Sequence, residues 1–385
     1  MRLAIISTHP IQYNAPLFGL LAQNTDFKIK VFYTLGIDSS EFTDPGFKKT
    51  IKWDIPLLHG YDYTFVKNKS ASPSTSSFWG IYNPSLIQEI ELFDATHILI
   101  YGWSFHSHLN VLRYFHKKIK IFFRGDSTLL DEKPGFKTMF RRLALYWVYR
   151  HIDKALYVGT HNKKYFLKHG LSVSNLIFAP HAIDNSRFRN DNLYATQAYQ
   201  LRNRLIGNTD KIVFLFIGKF EKKKNPLLLI KAFKQLDPLQ CTLLMVGNGP
   251  LEQELIKESV GCANIKFLPF QNQTQMPIVY RTADVLILPS DGPGETWGLC
   301  INEAMACGLA VIASTKVGCA VDLVHPGING YIFEAGDFED LREKLELITI
   351  KTKEELKAMG ATSRSIIENW SYDHICTAIN TLIKE

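Results

Sequence analysis

Glu295 and Glu303 stand with seven residues between them in the segment SDGPGETWGLCINEAMACGLAVIAS, residues 290–314. A Gly/Pro-rich turn leads to Glu295, and the pattern predicts a helix starting near Gly298 or Leu299 that carries Glu303 about one turn in. Two carboxylates placed in this way can accept hydrogen bonds from hydroxyls at two places on one ligand, as sugars and ribose present them. The helix start between them offers unpaired N–H groups and a partial positive charge, which is a seat for phosphate. Upstream, FIGKFEKKKNP, residues 216–226, gathers four lysines within six residues at a predicted strand-turn-helix junction. Lys219 and Lys224 there could neutralise a diphosphate as a leaving group departs, although a solvated turn has the same composition. For residues 290–314 the plain structural alternative is a surface loop followed by a core helix.

The 290–314 segment resembles the Glu-seven-residues-Glu motif of the family 4 retaining glycosyltransferases. Their usual run is E-G-F-G-L…E-A-M-A-C-G, and this chain has E-T-W-G-L-C-I-N-E-A-M-A-C-G, departing at Thr296 and Trp297. The resemblance implies that Glu295 contacts hydroxyls of the transferred sugar and Glu303 the ribose. It also implies that backbone N–H groups of Trp297, Gly298 and Leu299 meet sugar and phosphate, with Thr296 and Trp297 shaping the sugar pocket. FIGKFEKKKNP is similar to the family turn G-R-(apolar)-x-x-x-K-G. Gly218 opens it, Lys219 takes the arginine position and Lys224 the lysine position. Lysine for arginine keeps the charge and gives up the planar bidentate fork. LLMVGNGPLEQEL resembles the V-G-x-G-P turn, where Gly247 and Gly249 would let backbone approach the nucleotide, and by position the base is expected near Pro269 and Phe270. APHAIDNSRF resembles the hinge element N-G-V-D-x-x-x-F, with Asp184 and Phe188 read as structural.

The first half matches the family less well. Arg124 occupies the place of the usual histidine, followed by Gly125 and Asp126, and His9, Gln12 and Tyr13 occupy a turn where glycines are expected. Arg124 could hold phosphate and Asp126 a sugar hydroxyl, or the two could simply pair. His9, Tyr13 and His106 are the candidate acceptor contacts, with His108 beside them. A metal reading of His106 and His108 fails because no third and fourth ligand lie at suitable spacing. No metal and no cofactor are expected, the nucleotide-diphosphate sugar being a substrate.

These residues need strands and helix starts to hold them. Short β-branched and aromatic runs alternate with helical patterns: LAIIST, FKIKVFY, HILIYG, KIFFRG, KALYVGT and NLIFAP, then KIVFLFIGKF, CTLLMVG, NIKFLPF, DVLILPS, AVIAST and GYIFEA. Strands buried on both faces and spaced by crossover helices imply parallel sheets. The expected fold class is α/β, a GT-B fold of two doubly wound Rossmann-like domains facing across a cleft, with a C-terminal helix crossing back to the first domain. The expected domains are an acceptor-binding domain over 1–190, a nucleotide-sugar-binding domain over 191–368 and the crossover helix over 369–385. The polar stretch 185–210 interrupts the strand-helix rhythm and marks the boundary. The Ser/Pro-rich stretch 67–80 is a loop, either a mobile lid or inert surface.

Composition agrees with a chain of about two domains: 385 residues, 46% hydrophobic and 21% charged. No apolar run approaches the roughly 18 residues of a membrane span, and the start is expected to be a strand and no signal peptide. The six cysteines all lie in the second half without a C-x-x-C pair and read as reduced thiols. Residues 1–190 carry 24 Lys and Arg against 14 Asp and Glu, a net +10, which leaves −3 for residues 191–385. A basic half suits nucleic acid, anionic lipid or a phosphorylated acceptor, or reflects scattered solvated lysines. KPGFKTMFRRLALYWVYRHIDK, residues 133–154, is basic and aromatic at helical spacing. It could rest on anionic lipid, or be an interior helix with its charges facing water.

The combined expectation is a cytoplasmic, metal-independent hexosyltransferase-type enzyme, either free or at the inner face of the cytoplasmic membrane. Its expected partners are a nucleotide-sugar donor, a glycan or lipid-linked acceptor and peripheral contact with an anionic membrane, without nucleic acid. A nicotinamide dehydrogenase would need G-x-G-x-x-G after the first strand, where STHPIQYN has no glycine. A nucleotide-sugar epimerase of the same architecture and a catalytically silent sugar-nucleotide-binding protein remain as competing classes.

Overall fold

Every β-branched run named above becomes a strand in the computed structural model, which describes residues 1–36, 42–44, 49–207 and 210–385. In the first half the strands are β1 (Arg2–Ser7), β2 (Lys28–Tyr33), β3 (Phe42–Asp44), β4 (Lys49–Ile51), β5 (Asp62–Phe65), β6 (His97–Tyr101), β7 (Lys120–Arg124), β8 (Lys154–Tyr157) and β9 (Leu176–Phe178). Seven of them form a parallel sheet in the order β5-β2-β1-β6-β7-β8-β9, and β3 pairs with β4. In the second half β10 (Ile212–Ile217), β11 (Cys241–Val246), β12 (Ile265–Leu268), β13 (Val285–Leu288), β14 (Ala310–Ser314) and β15 (Gly330–Phe333) form a parallel sheet ordered β12-β11-β10-β13-β14-β15. The central strands are buried on both faces, with Leu3 to Ile6, Leu243 to Met245 and Val285 to Leu288 all sealed from solvent. Apolar transfer of such runs out of water is what the crossover helices secure.

In each sheet the strand order reverses once, between β1 and β6 in the first and between β10 and β13 in the second. At such a switch point the two flanking loops leave in opposite directions and open a crevice beyond the carboxyl ends of the strands. His9, His106, Lys224 and Glu295 lie in the connections that follow these four strands.

The chain divides into two units, Met1–Phe42 with Ile55–Pro180 and Tyr372–Glu385, and Thr43–Asp54 with His181–Ser371. Residues 181–190, grouped by sequence with the first domain, pack with the second: the Asn185 amide donates to the carbonyls of Ile367 (3.1 Å) and Trp370 (3.2 Å). The polar stretch 185–210, of which 208–209 lie outside the described residues, does not interrupt the helical pattern. It forms the helices Asn185–Arg189 and Asp191–Ile206, capped by the Asp184 and Asn190 side chains. Arg202 on the longer helix grips Asp284 with both terminal nitrogens, and the same carboxylate accepts from Lys353 and from the Val213 N–H. Asp191 at the start of that helix pairs with Arg281 and Arg364, so the helix is held by ion pairs near both ends. The final helix, Tyr372–Lys384, belongs to the first unit, where Ile375, Ile379 and Leu382 are buried and the Tyr372 hydroxyl donates to the Tyr13 carbonyl (2.9 Å). Among the described residues no helix is long and apolar enough to cross a membrane.

Stretch 67–80 is laced shut by Asn68, whose amide donates to the carbonyls of Leu35 (3.3 Å) and Gly80 (2.9 Å) and whose Oδ1 accepts from the Ser70 and Tyr82 N–H groups. Beneath it His108 is fully buried, with Nδ1 against the carbonyls of Tyr101 and Gly102 (both 3.1 Å) and Nε2 against the Thr34 hydroxyl (2.9 Å). Burial pulls its pKa to about 4, the carbonyl contacts opposing, and burial alone lowers His9 to about 4. Both values lie below the ordinary 6.5, so between these limits the unfolded chain binds more protons and stability falls as pH falls. The urea midpoint is expected to drop from pH 6.5 towards 4, and His108→Gln to flatten that slope. Equal slopes in the two proteins would contradict a neutral buried His108.

Candidate active site

The second unit brings together the residues that follow β10 and β13. The loop after β10 passes Gly218 and Lys219 and turns at Asn225, in the left-handed region (φ 48°), into the helix Pro226–Phe233. Lys224 runs back over Gly218, whose missing Cβ would lie 3.7 Å from its Cε, and its ammonium pairs with Glu295 in the loop after β13. The two side chains are only 15% and 10% exposed, and Ser290 Oγ donates to the same carboxylate oxygen (2.9 Å). Burial pulls the Lys224 pKa down, but the charge of Glu295 and the bond to it outweigh that and hold the ammonium above its ordinary value. Two further ties join the loops: the Asp291 N–H donates to the Lys223 carbonyl (3.0 Å) and the Asn225 amide to the Asp291 carboxylate (3.2 Å).

Beyond Glu295 the backbone turns at Gly298 in the left-handed region (φ 98°), where a Cβ would press on Leu288 and Val317 at 2.9 Å. The helix Leu299–Cys307 starts there with Gly298 at its N-cap, which has no side chain to cap it, and the Gly298 carbonyl accepts from the Ile301 N–H (2.9 Å) at the loop that holds Glu295 and Lys224. Glu303 lies one turn in, 2% exposed, accepting a bond from the Tyr280 hydroxyl (2.6 Å). Gly247, at the end of β11, crosses so close to Gly218 that a Cβ would lie 2.0 Å from its carbonyl oxygen, and its φ of 144° also favours glycine. The Phe270 N–H is held by Asn248 Oδ1 (2.8 Å), and the Phe270 ring lies beside Trp53 (centroids 6.4 Å apart). Lys219 stays on the first turn after β10, where its carbonyl accepts from the Glu221 N–H (2.9 Å).

Three expectations change. The Trp297 indole does not shape a pocket: it is 4% exposed, its Nε1 donates to Asn302 Oδ1 (2.8 Å), and Asn302 in turn donates to the His181 carbonyl (2.9 Å). What it offers outward is the backbone next to Gly298, where the Cys319 N–H already takes the Trp297 carbonyl (3.0 Å). In the first unit Arg124 is 5% exposed and spends its guanidinium on the carbonyls of Ala179 and Pro180 (both 2.8 Å), so it pins the chain after β9 and offers no phosphate fork. His108 is sealed in the core and does not reach an acceptor.

The other first-unit candidates lie after β1, β6 and β7. His9 meets Thr8 Oγ1 (3.0 Å), and Tyr13 is tied through its carbonyl to the last helix. His106 stacks on Trp79 (4.5 Å, 21°), with Phe78 and Tyr82 edge-on to it, and Trp79 is 62% exposed. Asp126, with Ser104, Ser127, Trp103, Arg141 and Tyr165, lines a cavity of about 300 Å³. Sequence reading missed Ser290, Tyr280 and Asn248, whose roles are set by partners, and Gly318, whose signal was a glycine two residues after a strand-end Lys.

Residues 200–365 match the model of the family described as Glycosyl transferases group 1. The chain is similar to the D-inositol 3-phosphate glycosyltransferase of Geodermatophilus obscurus, 28% identical over 216 residues, covering 52% of this chain and 46% of that protein. It is also similar to the sulfoquinovosyl transferase SQD2 of Arabidopsis thaliana, 27% identical over 199 residues, covering 51% of this chain and 36% of that one. The chain spans less than half the length of these curated relatives. Its fold matches that of Anabaena HepE in complex with UDP, with a TM-score of 0.74 at 17% identity and full coverage of both chains. The fold is therefore GT-B, two Rossmann-like parallel-sheet domains.

Gly318 supplies a test of the loop geometry. A Cβ there would lie 1.8 Å from the Thr296 carbonyl oxygen, while its own N–H donates to the Glu295 carbonyl (3.1 Å). Gly318→Ala is expected to force the 295–297 turn outward and cost about 1–3 kcal/mol, read as a lowered denaturation midpoint. A variant as stable as the parent would contradict this close contact.

Proposed function

We propose that the chain is a retaining glycosyltransferase that moves a sugar from a nucleotide-diphosphate sugar to a glycan or lipid-linked acceptor. Its place is in cell-surface polysaccharide or glycoconjugate synthesis on the cytoplasmic side of the membrane. The observation that carries this reading is the Lys224–Glu295 pair, low in exposure, at the switch point of the second sheet and beside a helix start without a side-chain cap. On this reading the donor diphosphate lies against that helix start and is neutralised by Lys224 and Lys219, which do the work a divalent cation would do elsewhere. Lys224 then shares its protons between Glu295 and a phosphate oxygen, so the ion pair is loosened by the ligand and Glu295 turns its free oxygen to a sugar hydroxyl. Glu303 takes the ribose, and backbone near Gly247 and Phe270 the base. The acceptor binds in the first unit, where Asp126 lines the cavity and the Trp79–His106 pair offers a flat face of the kind sugars stack on, with His9 and Tyr13 near the end of β1. In the transfer the anomeric carbon loses the diphosphate oxygen and gains the acceptor oxygen on the same face, and the leaving phosphate takes the acceptor proton.

UDP is the first nucleotide to try, because the HepE structure holds it. UDP is expected to raise the melting temperature, and Lys224→Met and Glu295→Gln each to lower kcat by about 10²–10³ with the fold retained by far-UV circular dichroism. Absence of a shift with every nucleoside diphosphate, or turnover in either variant near that of the parent, would overturn the reading. Conversion of the donor sugar without any acceptor would instead identify an epimerase.

A further inference from the structure

The helix Phe136–Tyr149 carries its apolar residues on the wrong side for a core helix. Leu145, Val148 and Tyr149 face inward and are buried, yet Phe136 (81%), Met139 (50%), Phe140 (65%), Leu143 (63%), Tyr146 (61%) and Trp147 (40%) are exposed. At about 100° per residue these six fall on one stripe along the helix, opposite the buried three. An apolar stripe of this length on a free surface marks a binding face. Its surroundings are basic: residues 131–183 hold nine Lys and Arg against three acids, of which Glu132 pairs with Arg142 and Asp153 is engaged by the Ile121 N–H (2.8 Å). Lys133, Lys137 and Arg150 are exposed at the ends and edge of the stripe. Gly170 packs against the Tyr146 ring, which brings the end of the Thr160–Lys168 helix, with exposed Lys164, Leu167 and Lys168, alongside.

We infer that this helix lies flat on an anionic lipid bilayer, its stripe entering the headgroup boundary and its basic rim meeting lipid phosphates. The observations favour lipid over a second copy of the chain, because a two-fold contact through this stripe would press two cationic rims together. Aromatic residues at the ends of a stripe and lysines at its edges are the composition of an interfacial helix. Arg141, on the side of the same helix turned away from the stripe, lines the 300 Å³ cavity with Asp126, so a docked helix would hold that cavity one helix diameter, roughly 10 Å, from the lipid surface. This deepens the transferase reading by making the acceptor lipid-borne, and rests on it for that point alone.

The test is co-sedimentation of the full chain with phosphatidylglycerol/phosphatidylcholine vesicles and with phosphatidylcholine vesicles, at low and high salt. Binding to the anionic vesicles is expected to exceed that to neutral ones by about tenfold or more and to weaken with salt. The double substitution Phe140→Glu with Leu143→Glu should abolish it while leaving the far-UV spectrum and the UDP-induced melting shift unchanged. No binding to anionic vesicles, equal binding by the double variant, or a dimer by light scattering that the double variant loses would each overturn the inference. A missing UDP shift in parent and variant alike would sink the transferase reading and leave the docking standing.

Discussion

The second unit is organised around one requirement: an ammonium and a carboxylate, both withdrawn from water, must find each other across two loops. Desolvating Lys224 and Glu295 costs several kcal/mol per ion, which only close pairing and added hydrogen bonds offset. Ser290 supplies one such bond, and the Asp291–Lys223 and Asp291–Asn225 contacts hold the loops in register. Because β10 and β13 are neighbours at the reversal of the sheet, the pair sits where a crevice is built into the topology. Glycines finish the arrangement. Gly247, Gly298 and Gly318 stand where backbone must approach backbone or a side chain more closely than a Cβ allows, and Gly218 where φ is 153°.

The first unit has the same sheet logic and opposite chemistry. Its buried polar groups are kept neutral or used up: burial lowers the pKa of His108, and Arg124 is spent on two carbonyls. What it exposes is aromatic, in the Trp79–His106 stack and along the Phe136–Tyr149 helix. The nearly neutral second half pairs its charges along its length, as in Arg202–Asp284, Lys224–Glu295 and Arg364–Asp191, whereas the first half carries an excess of lysines and arginines.

The strands and their parallel arrangement were legible because a run such as VFLFI or VLILP can only be a strand buried on both faces. That Lys224 and Glu295 serve one site could be read for a related reason, since each follows a central strand at a turn whose glycines announce it, but their direct pairing was not legible. Other features escaped because their partners are remote in the chain. Arg124 meets carbonyls 55 and 56 residues onward, and Asn302 ties Trp297 to His181 across 121 residues. Helix 191–206 read as a domain boundary because its anchors are ionic, Arg202 to Asp284 and Asp191 to Arg281 and Arg364, while Ala198 is its one buried residue. The Phe136–Tyr149 helix showed its periodicity plainly, but periodicity does not say which face the protein covers.

A crystal structure of the chain with UDP bound would bear most directly on the central claim. The β-phosphate is expected within about 3 Å of Lys224 Nζ and of the backbone N–H groups at the start of the Leu299–Cys307 helix, with Glu295 left facing the space where a sugar would lie. A diphosphate seated away from that lysine and that helix start would contradict it.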